Sequence, residues 1–124
     1  MGMTNFESTA SELLPLHPRD FHILLTLLDG DRHGYGIVKA IERRTGGEQR
    51  LDPANLYRAL QRLMKSGLVR DGEAPAEDDQ DGRKRRYHGI TELGRVTLDA
   101  EAERMRSLAD AVQARGSVVS SGKS

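Results

Sequence analysis

The sequence predicts a mainly α-helical fold with a small β-hairpin, closed by one long helix. Three observations carry this. Apolar residues recur at intervals of three and four in several separate stretches, two short β-compatible runs flank a segment rich in Gly, Pro and acids, and residues suited to capping stand where the periodic stretches begin. The 124 residues, 36% hydrophobic and 31% charged, suffice for one core and not for two.

Residues 1–12 are polar and aperiodic and read as a flexible lead-in. Pro18 at a first helical position and Asp20 in the first turn open a helix whose apolar set is Phe21, Leu24, Leu25 and Leu28, stopped at Asp29-Gly30. A shorter helix over 34–45 carries Ile37, Val38 and Ile41 and ends at Gly46-Gly47. Asp52 is a suitable N-cap and Pro53 suits the next position, so a third helix runs from 53 to about Ser66, before Gly67. Leu68-Val69-Arg70 and Arg85-Arg86-Tyr87-His88 read as the two strands of a hairpin with a long acidic tip. Thr91 caps a last helix reaching Arg115, and 116–124 is a low-complexity tail expected to be disordered.

Composition excludes several classes. With no cysteine there is no disulfide framework, thiol chemistry or Cys-based zinc site. The longest apolar run, Phe21 to Leu28, is too short to span a bilayer, so no membrane partner and a cytoplasmic location are expected. Lys+Arg and Asp+Glu number 19 each, and only segregation can create a basic surface. Segregation is present. One basic residue faces five acids over 1–31, nine face three over 32–70, six acids fill 71–82, and Arg83 to Arg86 are all cationic. No nucleophile and base pairing or carboxylate pair stands out, which argues against an enzyme. His17, Asp20 and His22 do not share a helical face, so no metal site or cofactor is expected and capping or solvated histidines are favoured.

Three helices, a hairpin and a long helix are the order of a winged helix-turn-helix domain, in which the third helix enters the major groove and the hairpin touches the flanking backbone. The boundaries expected are a flexible segment over 1–12, the winged domain over 13–90, a dimerisation helix over 91–115 and the tail over 116–124. Taking Leu56 as zero and 100° per residue, Ala59, Leu60, Leu63 and Met64 fall within about 80° of it, while Arg58, Gln61, Arg62 and Lys65 lie opposite. Arg pairs bidentately with guanine and Gln with adenine, whereas Lys supplies phosphate charge. Tyr57, at the edge of the apolar face, suits bracing the core or bonding a phosphate. Arg83, Lys84 and one of Arg85 or Arg86, with Arg85 taken, are the wing candidates, because strand alternation keeps all four cations from facing one way. Leu98, Met105 and Val112 repeat every seven residues with Leu108 between them, which suits a seam to a second copy, although Glu101 breaks it.

Four stretches resemble the PadR family of bacterial transcriptional regulators: Phe21-His22-Ile23-Leu24-Leu25 to Asp29-Gly30; His33-Gly34-Tyr35-Gly36-Ile37; Asn55-Leu56-Tyr57-Arg58-Ala59-Leu60 with Arg62-Leu63 and Gly67-Leu68-Val69; and Gly82-Arg83 through Arg86-Tyr87 to Thr91 and Gly94-Arg95. They cover roughly residues 18–112. The resemblance implies a winged-helix repressor or activator that dimerises through its C-terminal helix and binds double-stranded DNA at a palindromic operator. Many relatives have Gly-Thr or Gly-Ser at Ala54-Asn55 and a Pro at Lys84; both places lie on the expected DNA surface, which adds Asn55 to the candidates. The family's architecture leaves two alternatives, a small-molecule effector between the C-terminal helix and the DNA-binding unit or none, and no aromatic cage is legible among two Phe and three Tyr. The competing class is a winged-helix protein-interaction module, an anti-repressor or adaptor whose basic face meets an acidic partner.

Overall fold

The computed structural model describes residues 5–75 and 85–116. Its elements are α1 (Asn5–Glu12), α2 (Pro18–Leu27), β1 (Arg32–His33), α3 (Gly34–Arg44), α4 (Pro53–Lys65), β2 (Val69–Asp71), β3 (Tyr87–Ile90) and α5 (Glu92–Ala114). The helices expected over 18–28, 34–45, 53–66 and 91–115 are therefore present within two residues at each end. Three features differ from expectation. Residues 5–12 are helical and not a flexible lead-in, because Ala10 is buried where α1 packs on α5 and this contact supplies what an eight-residue helix lacks alone. A third strand, β1, joins the hairpin, so the sheet order is β1-β3-β2 and both pairings are antiparallel. The third difference is that the second hairpin strand starts at Tyr87 and not at Arg85. As the central strand it is buried at all four residues, which removes the alternation that marks a half-exposed strand.

Side chains close most of the helix starts. His17 Nδ1 accepts the Arg19 N–H at 3.0 Å, His33 Nδ1 accepts that of Gly36 at 3.0 Å, and Asp52 Oδ1 accepts that of Asn55 at 2.8 Å. His17 thus caps a helix, as favoured over metal binding. Thr91 works in two directions: its hydroxyl accepts the Gly94 N–H at 2.9 Å and donates to the Gly67 carbonyl at 2.6 Å, tying the end of α4 to the start of α5. Gly67 itself has φ +79°, and the N–H of Leu68 returns to the Leu63 carbonyl at 2.9 Å, which closes α4.

The core draws Ile23, Leu24 and Leu27 from α2, Ile37 and Ile41 from α3, Leu56, Leu60 and Leu63 from α4, and Leu68, Val69 and Ile90 from the sheet region. Leu98 of α5 belongs to it as well, only 5% exposed, so it is a core residue of its own chain and not part of an outward seam. The physical reason is that the first half of α5 lies over α2 and spends its apolar side there. Glu101 explains the break in the heptad pattern. It is 2% exposed, takes a two-point bond from Arg104 (Nε to Oε1 2.8 Å, Nη2 to Oε2 2.7 Å) and a backbone bond from Leu16, the linker residue between α1 and α2.

Those partners, Arg104 first, hold the Glu101 carboxyl below the ordinary carboxylate value against the opposing effect of burial. A lowered folded pKa stabilises the fold above the unfolded value, about pH 4.3, and that contribution is lost as pH falls through the folded value. Glu101→Gln should therefore cost about 1–3 kcal/mol at pH 7 and progressively less toward pH 3, measured by urea unfolding of both chains across that range.

Candidate nucleic-acid interface

Helix α4 is divided lengthwise. Leu56, Ala59, Leu60 and Leu63 are buried, while Asn55, Tyr57, Arg58, Gln61, Arg62 and Lys65 are exposed, as the helical period predicts. The exposed residues are not equivalent. Arg62 Nη2 lies 3.1 and 3.3 Å from the two carboxylate oxygens of Asp20, a buried residue of α2 that Arg19 also reaches at 3.4 Å. Arg62 is therefore fastened across the helix pair, a role that its exposed position on the wheel does not reveal. Asn55 sits between two charges, its Nδ2 donating to Asp52 Oδ2 at 2.8 Å and its Oδ1 accepting from Arg58 Nη2 at 2.6 Å. The side chains of Gln61 and Lys65 meet no partner among the described residues.

Between α3, α4 and β3 runs a groove of about 870 Å³ floored by Val38, Leu56 and Leu60. Tyr35 and Tyr57 line it and are 68% and 55% exposed, while Lys39 Nζ lies 5.7 Å from the Tyr35 ring centre. His33 stacks on Tyr35 with centroids 6.4 Å apart and meets the edge of Tyr87 at 5.3 Å, which holds the start of α3 against the sheet. Tyr35, Lys39 and Arg86 are groove residues that periodicity did not single out. In the sequence, Arg86 stands as the alternative to Arg85 at the wing, and Tyr35 as part of the His33–Ile37 stretch.

Arg85 precedes β3 and approaches His33 Nε2 at 3.5 Å, and Arg86 Nη2 bonds Asp71 Oδ1 at 3.2 Å. The alternation expected to send these two cations to opposite faces does not apply, since the strand begins after both. Arg83, Lys84 and most of the acidic tip lie outside the described residues. His88, buried in β3, is pushed below the ordinary histidine value by burial first and Arg86 second, against the pull of Asp71. At the base of the wing, Arg70 and Asp31 form a two-point pair at 3.0 and 3.2 Å, and the Glu73 N–H adds a third bond at 3.1 Å. The Arg70 bond is the main reason that the Asp31 carboxyl titrates below its ordinary value.

On α5 the remaining seam residues are exposed: Met105 at 39%, Leu108 at 54% and Val112 at 57%. A second, apolar depression of about 470 Å³ lies between α2 and α5, lined by Phe21, Leu25, Leu28 and Leu98 among others. Among the described residues no cluster suits a metal ion, and no helix is long and apolar enough to cross a membrane.

A helical unit presenting one polar helix face beside a small antiparallel wing is the architecture of winged-helix transcription regulators. The family model of the transcriptional regulator PadR-like family matches residues 23–100, and the chain belongs to that family. Over 79 residues it is 40% identical to protein X of Lysinibacillus sphaericus, covering 64% of this chain and 70% of that one. It is 30% identical over 93 residues to the transcriptional regulator YqjI of Escherichia coli K12, covering 75% of this chain and 42% of the relative. Among solved structures, Bacillus subtilis PadR in complex with operator DNA superposes with a TM-score of 0.56 at 20% identity, over 68% of this chain and 46% of that one. The chain thus spans less than half the length of those last two proteins.

The different duties of neighbouring α4 residues can be separated by stability. Arg62→Ala leaves the buried Asp20 carboxylate with Arg19 alone and should cost about 1–3 kcal/mol, whereas Gln61→Ala on the solvent face should stay within about 0.5 kcal/mol of the parent. Urea titration at one pH checks both.

Proposed function

We propose that this chain is a homodimeric, sequence-specific DNA-binding protein acting as a repressor at a palindromic operator, with no catalytic role. The observation that supports it most is the division of α4, which turns Arg58 and Gln61, two base-reading side-chain types, outward together with Lys65. Arg58 and Gln61 would read base edges. Lys65, Tyr57, Arg85 and the wing cations Arg83 and Lys84 would hold the phosphates, with Tyr35 and Lys39 extending that row across the groove. Arg62 contributes charge from its place on Asp20, and Asn55 stands at the helix start beside Arg58. Repression follows from occupancy, because a protein seated across a promoter excludes polymerase without touching it.

One helix reads only a few base pairs, too little to single out an operator, and a two-fold pair doubles the set. Met105, Leu108 and Val112 suit that pairing. Leu98 no longer belongs with them. The depression between α2 and α5 is where a small-molecule effector would act on the same helix.

Titration of the chain against its selected duplex and against random DNA over a salt series tests this function. A DNA reader shows a steep fall of log K with log salt together with a large specific-over-random ratio. A protein-interaction module does not show both. Arg58→Ala and Gln61→Ala should each cost about 1–3 kcal/mol at the operator and relax base preference, while Lys65→Ala should weaken all DNA alike. For the seam, Met105→Asp with Leu108→Asp should give monomers in sedimentation that bind the operator far more weakly, because an interface cannot keep unpaired charge buried. A dimer that persists in that variant places the interface elsewhere.

A further inference from the structure

Asn55 stands on the candidate DNA surface, yet both ends of its amide are already engaged. Its Nδ2 gives a hydrogen bond to Asp52 Oδ2 at 2.8 Å and its Oδ1 takes one from Arg58 Nη2 at 2.6 Å. The amide has one satisfactory orientation, since a flip would set oxygen against carboxylate and N–H against guanidinium. Bidentate reading of adenine uses the amide oxygen and one amide N–H, so a base would compete with Arg58 and Asp52 or take the second lone pair and second N–H, while the bonds already present fix the plane of the amide. Arg58 is differently placed. One of the five guanidinium N–H groups goes to Asn55, and the others remain for an acceptor pair such as guanine O6 and N7.

Asp52 anchors the row. One carboxylate oxygen caps α4 through the Asn55 N–H, and the other holds the Asn55 side chain, so a single group fixes the helix start and the amide together. All three residues are exposed, and in water an arginine on a flexible stem loses rotamer entropy when it binds. Holding the guanidinium beforehand reduces that loss and narrows where it can bind.

We infer that Asp52 and Asn55 are positioning residues for base recognition, a relay from the helix cap that aims Arg58 at one guanine of the operator. This rests on the DNA-reading function proposed above and adds to it a division of labour: Arg58 touches the base, and Asn55 and Asp52 act through it.

The experiment is binding-site selection from a randomised duplex, with base preference scored position by position for the parent, Arg58→Ala, Asn55→Ala and Asp52→Ser. Serine keeps the cap while removing the second oxygen, and Asn55→Ala leaves the capped N–H in place. Preference is a ratio within each variant, so a general gain or loss of affinity cancels. Arg58→Ala should abolish preference for guanine at one position, and Asn55→Ala and Asp52→Ser should each lower it about 3- to 10-fold at that same position. Neither should change preference further in an Arg58→Ala background. If Asn55→Ala instead removes preference for adenine at a different position, Asn55 reads directly and the relay is overturned. Unchanged guanine preference in Asn55→Ala overturns it too, and that variant decides alone should Asp52→Ser not fold. A parent that selects no sequence at all overturns the DNA-reading function, and the relay with it.

Discussion

Four α4 side chains, Leu56, Ala59, Leu60 and Leu63, leave water against α2, α3 and the sheet, each large one worth about 1.5–3 kcal/mol. Turning the helix by one residue, about 100°, would expose part of this row and carry Tyr57 or the Arg58 stem inward without a partner for the guanidinium. The azimuth of α4 is therefore set by its apolar side. Its polar side follows without any further interaction. Asp52 and Gly67 then fix where the helix begins and ends, and Thr91 passes that position on to α5.

Periodicity made the four long helices legible, because 3.6-residue repetition is strongest where one side of an element is buried and the other wet. It failed for elements defined by their surroundings. α1 is a helix because α5 covers Ala10, and β1 is two residues long and exists only as a partner of β3. β3 hides both faces, so its start could not be read from alternation. The α4 surface was legible as a set of exposed residues, but its internal pairing was not. Asp20 and Arg62 are 42 positions apart, and nothing local in either segment announces their contact. Leu98 and Glu101 show the same limit from the opposite side: a heptad pattern records which face of α5 is apolar, and only the packing of α2 and the Leu16 linker decides which part of that face is already used.

Net charge zero has a structural counterpart. Asp20, Asp31, Asp71 and Glu101 each lie within bonding distance of an arginine, which is the more exposed partner in every pair but that of Asp71 with Arg86. The acids work as fasteners for helix pairs and for the wing base. Asp20 and Glu101 place acidic charge inside the fold, while Gln61 and Lys65 lie on a face with no carboxylate bonded to them among the described residues. A uniformly basic surface would bind any polyanion. A partly neutralised one leans more on geometry, which is the requirement for discrimination among duplexes.

The long helix joins these local arrangements to the proposed dimer. Its first half is held by Leu98, Thr97 and Glu101 within the core and its N-terminus by Thr91, whereas Met105, Leu108 and Val112 project beyond. An α-helix rises 1.5 Å per residue, so the seam from Met105 to Val112 extends about 10 Å along one rigid axis. Gly94 shows how closely that axis is registered to the winged domain, because a Cβ there would overlap the Leu68 carbonyl oxygen. In a two-fold dimer built on this seam, the separation and tilt of the two α4 helices follow from the angle between α4 and α5 within one chain. The bond from Thr91 to Gly67 and the close approach of Gly94 to Leu68 hold the start of α5 at the end of α4, and Glu101 ties α5 to the Leu16 linker. Half-site spacing in the operator would then be written into the core of the monomer.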